Sequence, residues 1–125
     1  MAIHAMIDLE TLSTNPEAVI LTVGGVKFDP HSFTEPSQGM YFRVDVDSQT
    51  QMGRDVMQDT LDWWGQQDPK IMEEALGDKD RISLDQMIKT INKWSVGVDV
   101  FAFFIEISLA IGVLGGGVVV ACRGQ

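Results

Sequence analysis

A chain of 125 residues with 45% hydrophobic content is enough for one buried core, and 18 acidic against 9 basic residues give a formal charge of −9. That balance excludes a protein that grips nucleic acid chiefly through a basic face, but permits an enzyme that meets phosphates through bound cations. Cys122 is the only cysteine, which excludes an intrachain disulfide; with no basic-then-apolar leader, the expectation is a cytoplasmic protein.

The first predicted element is a strand over Ala2–Leu9. Its alternation sends Ile7 and Leu9 to the core and puts Asp8 and Glu10 together on the opposite face, with Cβ atoms roughly 6–7 Å apart. Two carboxylates so placed suit a pair of divalent ions about 3.5–4 Å apart. The same spacing recurs at Asp45/Asp47 and Asp78/Asp80, so in a chain this acidic the spacing alone is weak. Asn15-Pro16 signals a turn, and 18–28 reads as a second strand interrupted by Gly24-Gly25, which mark a bulge or a place where another backbone comes close. After a Pro-containing loop, Met40–Val46 reads as a third strand with Phe42, Val44 and Val46 on one face. These three strands predict an antiparallel meander, followed by a polar connection over Gln49–Asp55.

From Asp59 the period becomes helical. Residues 59–67 predict a short helix capped by Asp59 or its neighbour, and Asp68 caps another that has Pro69 first and closes at Gly77. Ser83 and Gln86 form a capping box for a third helix, with Ile82 stapled to Met87. Its stripe is Leu84, Met87, Ile88, Ile91 and Trp94, and Gly97 ends it. Val98–Phe101 predicts a further strand, parallel to the first and beside it. The order β-β-β, helices, β fits an α/β domain of the ribonuclease-H-like kind.

The run M-I-D-L-E-T-L-S-T-N-P-E-A-V-I-L-T-V-G-G-V-K-F-D-P at 6–30 and the block T-L-D-W-W-G-Q-Q at 60–67 resemble, in order and spacing, a phage and bacterial 3′–5′ exonuclease family of the DEDD group. The similarity extends over roughly residues 3–100. It implies that Asp8 and Glu10 are catalytic metal ligands for two Mg²⁺ or Mn²⁺ ions. It also implies that Thr11 lies near the terminal 3′ hydroxyl and Leu12 against the base. The implied substrate is the 3′ end of single-stranded DNA or RNA, and homodimers occur among such domains. Trp63 and Trp64 are adjacent on a helix and point about 100° apart. One is expected in the core and Trp64 at the groove, with both in the core as the competing reading. Gln67 supports the helix. His4 and His31 match no catalytic histidine of the family, and Asp45, Asp47, Asp55 and Asp62 read as solvated acids.

After Phe101 the family's W-x-x-G-x-x-F-D block, its histidine and its last acid have no counterpart, and Glu106 is not assigned the missing role. The chain therefore divides into 1–101, the N-terminal part of an exonuclease domain, and 102–125, an apolar divergent tail. An aberrant end on a truncated domain is the expectation. A membrane segment and an ordered continuation of the sheet are its rivals, and at 16 uncharged residues Ile107–Cys122 is short of the ~20 that span a bilayer. A metal-dependent exonuclease of weak activity is the functional expectation. A non-catalytic remnant that binds nucleic acid or a partner is the alternative, and a membrane-anchored protein a third.

Overall fold

Period-two burial is plainest in the first strand, where Ala5 and Ile7 are buried while Met6 between them is exposed. In the computed structural model, which describes residues 3–32, 37–105 and 117–122, that strand is β1 (His4–Thr11). It is followed by β2 (Ile20–Phe28), β3 (Ser37–Val44), α1 (Val46–Gln51), α2 (Gln58–Gly65), α3 (Pro69–Leu76), β4 (Arg81–Ile82), α4 (Leu84–Trp94), β5 (Val100–Ile105) and β6 (Gly117–Cys122). The fold is mixed α/β, and the described strands form one sheet in the order β4-β3-β2-β1-β5-β6.

β1 pairs antiparallel with β2 and β2 antiparallel with β3. On its other side β1 pairs in parallel with β5, His4 opposite Val100 and Asp8 opposite Phe104. The sheet is wider than the meander plus one strand expected from the sequence. β4, only two residues long, adds to β3 in parallel, and β6 adds to β5 in antiparallel register, Ile105 opposite Gly117. The boundary drawn at residue 101 thus falls inside β5, and the backbone at 102–105 and 117–122 continues the sheet. Glu106 lies outside the described residues. Among the described residues no helix is long and apolar enough to cross a membrane.

One face of the sheet is covered by α4. Its capping box is complete: Gln86 N–H donates to Ser83 Oγ at 3.1 Å and Ser83 N–H to Gln86 Oε1 at 3.4 Å. Leu84, Met87, Ile91 and Trp94 pack on Ile7, Val23 and Val44, each fully buried aliphatic contributing about 1.5–3 kcal/mol. Ile88, expected in this stripe, is 47% exposed, because it sits at the edge of the arc that meets the sheet. Gly25 lies beneath the stripe, where a Cβ would come within 2.9 Å of Met40 Cε and 3.1 Å of Trp94 Cη2. A register shift follows between Gly25 and Lys27, as expected of a bulge, while the close approach is by side chains rather than by another backbone. Gly97 ends α4 region at φ +85°, a left-handed value open to glycine.

A second apolar cluster forms where β1 ends, from Leu12, Val19, Leu21, Trp64 and Ala75. α3 starts as expected, with Asp68 accepting from Lys70 N–H and Pro69 in its first turn. Two guanidinium groups moor its far end. Arg43 donates to the carbonyls of Glu73, Gly77 and Lys79, and Arg81 to those of Leu21, Val44, Ala75 and Gly77. Burial first, and then the neighbouring Arg43, hold the Arg81 pKa below its ordinary value. Two local expectations are corrected. Val46 opens α1 rather than closing β3, since Asp45 accepts from Ser48 N–H and caps a helix there. α2 is preceded by Met57, which makes no side-chain cap; Asp59 sits in the first turn, where its charge suits the helix dipole.

The stretch expected to be a polar connection also holds Gln49, which is fully buried. Its Oε1 accepts from Ile20 N–H at 2.8 Å, and its Nε2 donates to Ile20 O and Asp45 O. The amide side chain completes the backbone bonding of β2 where a strand neighbour stops, so the polar group is buried without loss.

Candidate active site

β1 has a strand on either side, so its side chains project only above and below the sheet. With Ile7 committed to the α4 face, Asp8 and Glu10 share the other, both half-buried. Opposite Asp8 on β2 stands Gly24, which places no side chain beside that carboxylate on the β2 side; a Cβ there would meet Tyr41 Cδ1 at 3.8 Å, and Asp8 Oδ1 is itself buried. Opposite Glu10 stands Thr22, whose hydroxyl donates to Glu10 Oε2 at 2.9 Å. Immediately afterwards the β1–β2 register shifts, between Glu10 and Thr11, and the chain leaves the sheet.

The residues beyond the shift hold the strand end in place. Thr11 is buried and its hydroxyl donates to Ser13 O at 2.6 Å, so it is used within the turn. Leu12, expected against the base, is 4% exposed and packs in the second cluster. Ser13 Oγ–H donates to Asp55 Oδ2 at 2.5 Å, and Asn15 Nδ2 reaches the same oxygen at 2.7 Å. These two donors, the serine first, hold the Asp55 carboxyl below its ordinary pKa. Backbone bonds from Val19 N–H to Asp55 O and from Met57 N–H to Leu12 O complete the tie.

The tryptophan pair is arranged opposite to expectation. Trp64 is 2% exposed and anchored in the core by its indole N–H, which donates to Thr11 O at 3.2 Å. Trp63 is the more open ring, packed edge-on against Trp64 with centroids 4.7 Å apart. Both border a cleft of about 480 Å³ that runs from Glu10 between α2 and α3. Gln67, Lys70, Ile71 and Glu74 form its far wall. Gln67 also donates to Trp63 O, the helix-supporting part expected of it.

The sequence reading missed Lys70, Ile71 and Glu74. They fall on one side of a short helix, and nothing local says that this side confronts Glu10. Tyr41, on the same sheet face, was likewise missed. It donates its hydroxyl to Glu74 Oε1, so β3 steadies the wall. Desolvation, that hydrogen bond and the charges of Glu74 and Glu10 push the phenol well above its ordinary pKa. His4 packs its ring on Phe28 and His31 is exposed in a turn; neither lines the cleft.

Asp8 and Glu10 supply hard oxygen donors of the type that Mg²⁺ and Mn²⁺ prefer. Among the described residues no group of three or more His, Cys, Asp and Glu side chains could hold a metal ion. The donor set fits an ion that keeps waters and is completed by substrate oxygens, which is how Mg²⁺ binds through one or two carboxylates. It does not form a closed protein cage.

The family model described as the Rv2179c-like 3′-5′ exoribonuclease domain matches residues 3–103. No curated protein matches the chain.

Proposed function

Since the chain belongs to the Rv2179c-like 3′-5′ exoribonuclease domain family, we propose that it hydrolyses single-stranded RNA from the 3′ end, with Asp8 and Glu10 as the metal-binding carboxylates of a ribonuclease-H-like site. The observation that carries this reading is the shared projection of those two acids from one face of a central strand, with Glu10 lining the cleft. In the reaction, a water oxygen bonds to the terminal phosphorus and the bond from phosphorus to the preceding 3′ oxygen breaks. The products are a nucleoside 5′-monophosphate and an RNA one residue shorter, with a new 3′ hydroxyl.

A bound Mg²⁺ or Mn²⁺ would supply charge neutralisation at the scissile phosphate. The protein's part is placement. Thr22 fixes one oxygen of Glu10, and Gly24 places no side chain opposite Asp8 on β2. Thr11 and Leu12 act on the substrate indirectly, by fixing the corner at which β1 ends. Trp64 contributes by anchoring that corner and Trp63 by presenting an aromatic surface at the cleft.

The test is a time course on a 5′-labelled RNA with Mn²⁺ or Mg²⁺. A ladder shortening from the 3′ end is expected, abolished by EDTA and by Asp8→Ala. Cleavage indifferent to both would sink the proposal. A second reading, a non-catalytic RNA-binding remnant, is favoured by the lack of a third metal-binding acid among the described residues. It predicts binding without turnover in the same assay.

A further inference from the structure

Lys70 is exposed on the cleft wall, and among the described residues its ammonium has neither an ion pair nor a hydrogen bond. Only its backbone N–H is engaged, by the Asp68 cap. It is also the one cation among the residues lining this cleft, facing two acids, Glu10 and Glu74. Such a lysine in an acidic chain is not needed to hold the fold. It is suited to a phosphate, which an ammonium meets as a point charge.

The complementary requirement, a surface for a base, is met by other residues lining the same cleft. Trp63 is only half-buried, and its pose is set by the edge-on contact with a pinned Trp64. Ile71, 49% exposed, adds apolar surface on the facing helix. A volume of about 480 Å³ is within the range of small-ligand sites and admits one nucleotide unit. Base stacking on an aromatic ring is indifferent to sequence, because every base has a π-face.

We propose that the cleft between α2 and α3 is a nucleotide subsite of its own, holding the RNA unit next to the scissile phosphate, with the base on Trp63 and Ile71 and the phosphate on Lys70. The placement of this unit beside the acid pair rests on the exonuclease reading; the subsite itself does not require metal. Lys70 therefore governs how tightly the strand is held rather than the hydrolytic step.

The test is fluorescence polarisation of a 5′-labelled pentaribonucleotide of mixed sequence, in EDTA, across a series of salt concentrations. Lys70→Gln is expected to weaken binding about tenfold at low salt and to flatten the salt slope by about 0.7, the value for one contact to a single strand. Lys89→Gln, on the exposed side of α4, is expected to leave both unchanged. Trp63→Phe should bind within about threefold of wild type and Trp63→Leu several-fold worse, with melting temperatures checked for all variants. Undetectable binding by the wild-type chain, or Lys70→Gln indistinguishable from it, overturns the subsite. Adding Mn²⁺ afterwards separates the two claims. Binding without cleavage keeps the subsite and removes the nuclease, whereas cleavage with unaltered Lys70→Gln binding does the reverse.

Discussion

The indole N–H of Trp64 donates to the backbone carbonyl of Thr11 across 53 residues of sequence, tying α2 to the end of the strand that carries Asp8 and Glu10. Both groups are buried, so neither has water as a substitute partner. Trp64→Phe keeps an aromatic ring but leaves the carbonyl unpaired and a small void beside it. A loss of about 1–3 kcal/mol is expected by urea denaturation. On the proposed function, RNA hydrolysis should slow in parallel, since the corner beside Glu10 loosens. Unchanged stability would mean that the bond is not maintained in solution.

Asp55 gives the protein an acid-sensitive joint. Its folded pKa is depressed by Ser13 and Asn15, so it binds protons less readily folded than unfolded. The stabilisation is present above the unfolded value, about 3.9, and disappears as pH falls through the lower folded value. Asp45 is depressed in the same sense by Ser48. Denaturation curves from pH 6 to pH 3 should therefore decline more steeply for wild type than for Asp55→Asn. Curves of equal slope would count against the joint.

Gln49→Leu preserves bulk but strips three hydrogen bonds from Ile20 and Asp45 backbone groups. The expected cost is about 3 kcal/mol, because the orphaned groups stay buried. A shift smaller than 1 kcal/mol would show that β2 rearranges to recover them.

Thr22→Val removes the donor that orients Glu10 while keeping the β-branched shape of a buried strand residue. On the proposed chemistry, Mn²⁺ affinity by calorimetry should fall about tenfold, as for other groups that orient metal ligands. The melting temperature should move little. A full loss of folding would make the hydroxyl structural instead.

What the sequence disclosed were the features with local causes. The Ser83 capping box, the Asp68-Pro69 start of α3 and the alternation that pairs Asp8 with Glu10 each depend on neighbours a few residues apart. What stayed hidden depends on distant partners. β4 is two residues whose strand character comes from pairing with Arg43 and Val44, and Gln49 is buried because β2 lacks a neighbour there. The two tryptophans could not be told apart by spacing, since the choice was made by a carbonyl in another element. Lys70 and Glu74 looked like ordinary surface charges until α3 was laid against the sheet.

Arg81 bonds at once to carbonyls of β2, β3 and α3. Prising that helix outward would break the bonds from Arg81 to Ala75 and Gly77 together, at a cost of about 1–3 kcal/mol. The wall of the cleft beside Glu10 is thus framed rather than hinged. On the proposed function, a cleft with so fixed a wall would receive the substrate strand without reshaping itself around it.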